Sequence, residues 1–130
     1  MEPADVLTRD EQLDLVNRLI RLTERHAIDW QNVQSAGFAY WASLSQHSYR
    51  IESVDDDGVA PYRLTVDTRG GRTLAVVEMR PPTMSGQEVV NNAVRDLYEL
   101  VHRFVSRSER DIKMLFEDLD DVESGNAPPF

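Results

Sequence analysis

From Phe38 to Met79 apolar and polar residues alternate, and the alternation breaks only at turn-forming residues. Side chains along a strand point to opposite faces with period two. The pattern predicts strands at roughly 37–45, 48–54, 61–68 and 72–79. One parity set contains Phe38, Tyr40, Ala42 and Leu44, then Tyr49 and Ile51, then Tyr62, Leu64 and Val66, and last Ala75, Val77 and Met79. A turn at Gln46-His47 pairs Leu44 with Tyr49 and Ala42 with Ile51. A loop from Asp55 to Gly58 pairs Ile51 with Tyr62 and Tyr49 with Leu64. A Gly70-Gly71 turn, where both residues take positive φ freely, pairs Val66 with Ala75 and Leu64 with Val77. All three hairpins place the apolar set on one side. A slip of one residue in any of them would send part of the set to the wrong face.

The opposite face is mixed. It carries Trp41, then Arg50, Glu52 and Val54, then Arg63, and last Leu74, Val76 and Glu78, with Arg63 opposite Glu78. Trp41, Val54, Leu74 and Val76 form a candidate contact patch. Trp41, Arg50, Glu52, Arg63 and Glu78 form a candidate ligand site, because two guanidinium groups beside an aromatic ring suit a small anion. The plainer reading is a solvated face whose ion pairs contribute about 0–1 kcal/mol each.

Helical signals flank this region. Thr8 with Glu11 has the spacing of a capping box, and Leu13, Val16, Leu19, Ile20 and Thr23 then make one stripe of a helix from about residue 9 to 26. Trp30 follows the helix end and is expected to plug the core between helix and sheet. After Pro81-Pro82, a second helix over about 86–106 carries Val90, Ala93, Val94, Leu97, Val101, Phe104 and Val105 on one wide face. Ser108 to Asp111 resembles a further cap. A third helix follows, with Ile112, Leu115, Phe116 and Leu119 at i, i+3, i+4 and i+7 and an acidic far side. The element order predicts an α+β fold: a four-stranded antiparallel meander with an N-terminal helix and two C-terminal helices, the helices mainly on one face. Residues 1–123 are expected to form a single domain and 124–130 a disordered tail.

Composition narrows the function classes. The 130 residues carry a net charge of -9. Residues 1–108 hold 12 Lys/Arg and 16 Asp/Glu, and residues 109–130 hold 2 and 7. Phosphate contacts need clustered cations, so no nucleic-acid partner is expected. There is no cysteine, which suits a reducing compartment, and the expected localisation is cytoplasmic with no membrane partner. His26, His47 and His102 fall in three different elements, so no metal site is expected. Asp55-Asp56-Asp57-Gly58 opens like a calcium loop, but Val66 stands where the closing glutamate belongs. No nucleophile elbow, phosphate loop or dinucleotide fingerprint is present.

The segments Leu22-Thr23-Glu24, Ile28-Asp29-Trp30, Tyr40-Trp41-Ala42-Ser43-Leu44, Tyr62-Arg63-Leu64-Thr65-Val66 and Leu97-Tyr98-Glu99-Leu100-Val101, followed by Ile112 to Leu119, resemble a recurring pattern of small bacterial α+β proteins. In that pattern a helix ends in an Ile-x-Trp turn, strands follow, and a Leu-Tyr helix leads to a short acidic helix. Its members are mostly uncharacterised and often associated with mobile elements or phage. The resemblance implies the fold and a bacterial source, and it transfers no catalytic residue.

The residues together lead to a non-enzymatic interaction protein with no cofactor. It would act as a homodimer or with a protein partner, through Trp41, Val54, Leu74, Val76, Ile112, Leu115, Phe116 and Leu119. The alternative is a small anionic-ligand, nucleotide-like binding protein that uses Arg50, Arg63 and Trp41.

Overall fold

The computed structural model describes residues 6–106 and 109–125. It is α+β, with five antiparallel strands in sequence order and three helices. The strands are β1 Gln31–Asn32, β2 Ala39–Ser43, β3 His47–Ser53, β4 Tyr62–Thr68 and β5 Thr73–Glu78. The helices are α1 Arg9–Glu24, α2 Gln87–Ser106 and α3 Glu109–Glu123. The expected meander therefore has one strand more than the four predicted. β1 pairs Gln31 with Trp41 and Asn32 with Tyr40. A two-residue strand is held by backbone pairing alone and leaves no alternation in the sequence.

The parity of the sheet follows the sequence pattern, but two of the three registers differ from it. Tyr40 faces Ile51 and Ala42 faces Tyr49; Ile51 faces Leu64 and Tyr49 faces Val66. Each is displaced by two residues from expectation, so every side chain keeps its face while changing its partner. The first hairpin closes at Ser45-Gln46, where the Leu44 N–H donates to the His47 carbonyl at 2.8 Å. The second closes through a longer loop, with the Val54 N–H on the Pro61 carbonyl at 2.9 Å. Asp57 organises that loop by accepting from the Ser53 hydroxyl at 2.9 Å and the Val59 N–H at 3.1 Å. These hydrogen bonds hold its carboxyl below the usual carboxylate range. The β4–β5 hairpin has the expected register, Leu64 opposite Val77 and Arg63 opposite Glu78.

A bulge then interrupts β4–β5. Val66 pairs with Ala75 but Asp67 pairs with Thr73, so Leu74 is the extra residue. A bulge re-aims the side chain it inserts. Leu74 lines a groove with Leu7, Leu15, Tyr49 and Val66 beside α1. Strict alternation had placed it with Trp41.

Tyr40, Ile51, Leu64 and Val77 are buried with Val90, Val94, Leu97 and Val101 of α2, and Val16 and Leu19 of α1 complete the same core. α2 packs on β3, β4 and β5, and α1 packs along α2. The Thr8–Glu11 capping box is present. His26 closes α1 in the left-handed region at φ 57, with the Ala27 N–H on the Leu22 carbonyl at 2.9 Å, a Schellman-type end. Trp30 is 3% exposed. Its indole N–H donates to the Thr23 hydroxyl at 2.9 Å, which donates to the Leu19 carbonyl at 2.7 Å. The ring is thus a core plug with its polar edge satisfied.

Among the described residues, no element packs along α3 over an extended contact. Ser124 and Gly125 form a turn after it, with the Ser124 N–H on the Asp120 carbonyl. The expected cap at Ser108 and the rest of the expected tail, 126–130, lie outside the described residues. No described helix is long and apolar enough to cross a membrane.

Candidate functional site

The outer sheet face brings Trp41, Arg50, Glu52 and Arg63 together. Trp41 stands directly opposite Arg50, and Glu52 directly opposite Arg63. Glu52 sits low between the two arginines, its side chain 13% exposed against 44% for Arg50 and 36% for Arg63. Arg63 donates through Nε and Nη2 to Oε1 at 3.2 and 2.8 Å. Arg50 donates through Nε to Oε2 at 3.1 Å, with Nη2 3.0 Å away. Both carboxylate oxygens are taken, and both guanidinium groups already hold an anion. Glu78 stands opposite Arg63, yet its carboxylate lies 3.4 Å from Arg80 Nη2. The arrangement is an Arg–Glu–Arg triad across two strands in which one carboxylate is shared by two guanidinium groups, leaving a net positive charge, with a half-exposed indole at its edge. Val54 leaves the ladder to open the loop, Val76 is half-buried, and Leu74 lines the α1 groove. The apolar patch on this face is therefore smaller than the sequence implied.

A second cluster lies between sheet and α2. Tyr62 and Tyr98 stack at 4.1 Å between ring centroids with an interplanar angle of 12°. The Tyr98 and His102 rings lie near parallel at 6.0 Å, and the Tyr40 hydroxyl bonds His102 Nδ1. His102 is half-buried and bonded to the sheet through Tyr40. The Tyr98 hydroxyl is buried beside the Tyr40 hydroxyl. Burial, and then the neighbouring Tyr40 and Tyr62 hydroxyls, push the Tyr98 phenol far above its ordinary range. Burial also raises Tyr40 and Tyr62. No pattern in the sequence marks this cluster, because its members come from three elements. Among the described residues no group of His, Cys, Asp and Glu could hold a metal ion.

The third feature is α3. Leu115, Phe116, Leu119 and Val122 are 57, 58, 50 and 42% exposed, and Ile112 is half-buried. Along the helix they fall at i, i+3, i+4, i+7 and i+10 from Ile112, one continuous stripe. Glu117, Asp118, Asp120, Asp121 and Glu123 flank it, and its last turn holds no basic residue.

The fourth is a cleft of about 890 Å³ where the C-terminal ends of α1 and α2 meet Trp30 and Gln31. Leu100, Phe104 and Val105 supply its apolar wall, and Glu24, Asp29, His26 and Arg103 its polar rim. The His26 ring packs 5.4 Å from the Phe104 ring. Sequence reasoning did not find the cleft. The available signal was the run Arg21, Arg25, His26 and Arg103 near two helix ends. Against known proteins, no family model, no curated protein and no solved structure matches this chain.

Proposed function

We propose that this chain is a non-enzymatic interaction protein and that α3 is its contact element. One observation carries the reading. Four large apolar side chains on a single face of α3 are 42–58% exposed, beside a domain that already holds a filled core. Isolated exposed apolar residues are ordinary, but a contiguous stripe on one helix face is how amphipathic helices engage protein grooves. The polar groups of the sheet face support the same reading, since Glu52 occupies the arginines that an anionic ligand would need.

The test separates folding from contact. Phe116→Asp and Leu119→Asp remove apolar surface that the domain does not use. Each is expected to leave Tm within about 2 °C of wild type while weakening association of the chain with itself or with a partner. A loss of about 8 °C or more would mean that the stripe is core. Unchanged association in both variants would remove α3 from the contact.

A further inference from the structure

We propose that Met84 is an oxidant-modified position and that Arg9 binds the sulfoxide formed there, pinning the start of α1 to the start of α2.

The sulfur already sits on a cation. Met84 is 59% exposed, and its Sδ accepts from Arg9 Nη2 at 3.1 Å. A thioether is a weak acceptor. Among the described residues it is the only acceptor the Arg9 guanidinium has, and Arg9 Nε is buried without one. The Arg9 stem is held in place by Gly86, where an added Cβ would stand 3.5 Å from Arg9 Cδ. Arg9 is the first residue of α1. The Met84 carbonyl accepts from the N–H of Gln87, the first residue of α2, at 3.1 Å. The two side chains therefore join the starts of two helices.

Oxidation changes that contact in kind. The sulfur lone pair attacks one oxygen of hydrogen peroxide, the O–O bond breaks and an S–O bond forms. The second oxygen leaves as hydroxide and takes up the proton of the first to become water. Sulfur gives up two electrons and the peroxide takes them. The product, methionine sulfoxide, carries a polar oxygen, one bond from an atom that lies 3.1 Å from Arg9 Nη2. A charge-assisted bond to that oxygen replaces a weak one to sulfur. Methionine oxidation ordinarily weakens a fold, because it puts a polar group into apolar packing. Met84 is exposed and faces a cation, so the sign is reversed. The chain has no cysteine, so its sulfur redox chemistry belongs to methionine alone. Met79 is half-buried against the core, and Met114 is 52% exposed on α3.

The experiment uses the full chain carrying Met114→Leu, which leaves Met84 as the one exposed methionine among the described residues. Dilute hydrogen peroxide is added until peptide mass mapping shows one added oxygen, and thermal melts are compared before and after. The oxygen is expected on Met84, with Tm raised by about 2–4 °C. Methionine sulfoxide reductases should return Tm to its starting value. The rise should vanish in Arg9→Ala, read as the oxidised minus the reduced form of that variant, so that the effect of the alanine itself cancels. It should also be absent from Met84→Leu in the same background. A Met84 sulfoxide that leaves Tm unchanged or lowers it would overturn the inference. So would an equal rise in Arg9→Ala, a rise in Met84→Leu, or oxygen that accumulates on another methionine while Met84 stays reduced.

Discussion

Replacing Glu52 by glutamine tests how the outer sheet face uses its charges. The glutamine keeps the shape and one acceptor, but its amide N–H groups face an arginine that already carries only donors. Two charge-assisted contacts, Arg63 at 2.8 Å and Arg50 at 3.0 Å, are lost or weakened. Buried, each would contribute about 1.5–3 kcal/mol. Both arginines are more than a third exposed, so solvent screening reduces the sum to about 1–2 kcal/mol. At about 2.1 cal/mol/K of unfolding entropy per residue, the loss lowers Tm by about 4–7 °C. The variant also leaves two guanidinium groups together without their carboxylate, which is an anion site. Thermal melts in ~50 mM sulfate, against chloride at equal ionic strength, read this directly. The sulfate gain in Glu52→Gln should exceed the general salting gain of wild type by several degrees. A variant that melts within about 1 °C of wild type would show the triad to be energetically idle. An equal sulfate gain in both proteins would show that an anion binds with Glu52 in place, and would restore the ligand reading of Trp41, Arg50 and Arg63.

Three further outcomes are expected. Tyr98→Phe removes a buried hydroxyl that lies beside the Tyr40 and Tyr62 hydroxyls and keeps the stacked ring, so urea unfolding should show a loss of no more than about 1 kcal/mol; a larger loss would mean that this hydroxyl anchors the cluster. Tyr40, Tyr62 and Tyr98 all have raised phenol pKa values in the fold. The unfolded chain therefore releases those protons first. Their contribution is fully present below about pH 10 and is lost as pH rises above it, and Tyr98→Phe should flatten that alkaline slope in stability measured against pH. Gly58 adopts φ +81 and an added Cβ would lie 2.8 Å from the Phe38 ring, so Gly58→Ala should destabilise by about 1–3 kcal/mol in the same urea assay; an unchanged midpoint would contradict the loop geometry.

What the sequence revealed and what it hid divide along one physical line. Side-chain period is a local property, so the faces of Tyr40, Ile51, Leu64 and Val77 were legible. Register depends on where a chain reverses. Ser45-Gln46 has no glycine to announce it, and the eight residues from Val54 to Pro61 close a loop whose hydrogen bonds come from Asp56 and Asp57 side chains. β1 is too short to show a period, and the bulge at Leu74 breaks one. The candidate site was legible in its membership and not in its state. Alternation placed Arg50, Glu52 and Arg63 on one face, while the choice of Glu52 over Glu78 as partner for Arg63 depends on which strand stands nearer its guanidinium. His102 and the α1–α2 cleft depend on contacts between distant elements, and no window of sequence contains them.

The state of α3 is itself an argument about function. A 15-residue helix is near the lower limit for stability in water without tertiary support. This one works against its own dipole, because its last turns carry Asp120, Asp121 and Glu123 and no cation. Its capacity to stay helical must come from burial of its stripe and neutralisation of those carboxylates. Among the described residues, no other element packs along it over an extended contact. A partner groove with an apolar floor and a basic rim would provide both. On the proposed contact role, the stability of α3 would be tied to association rather than to folding of one chain.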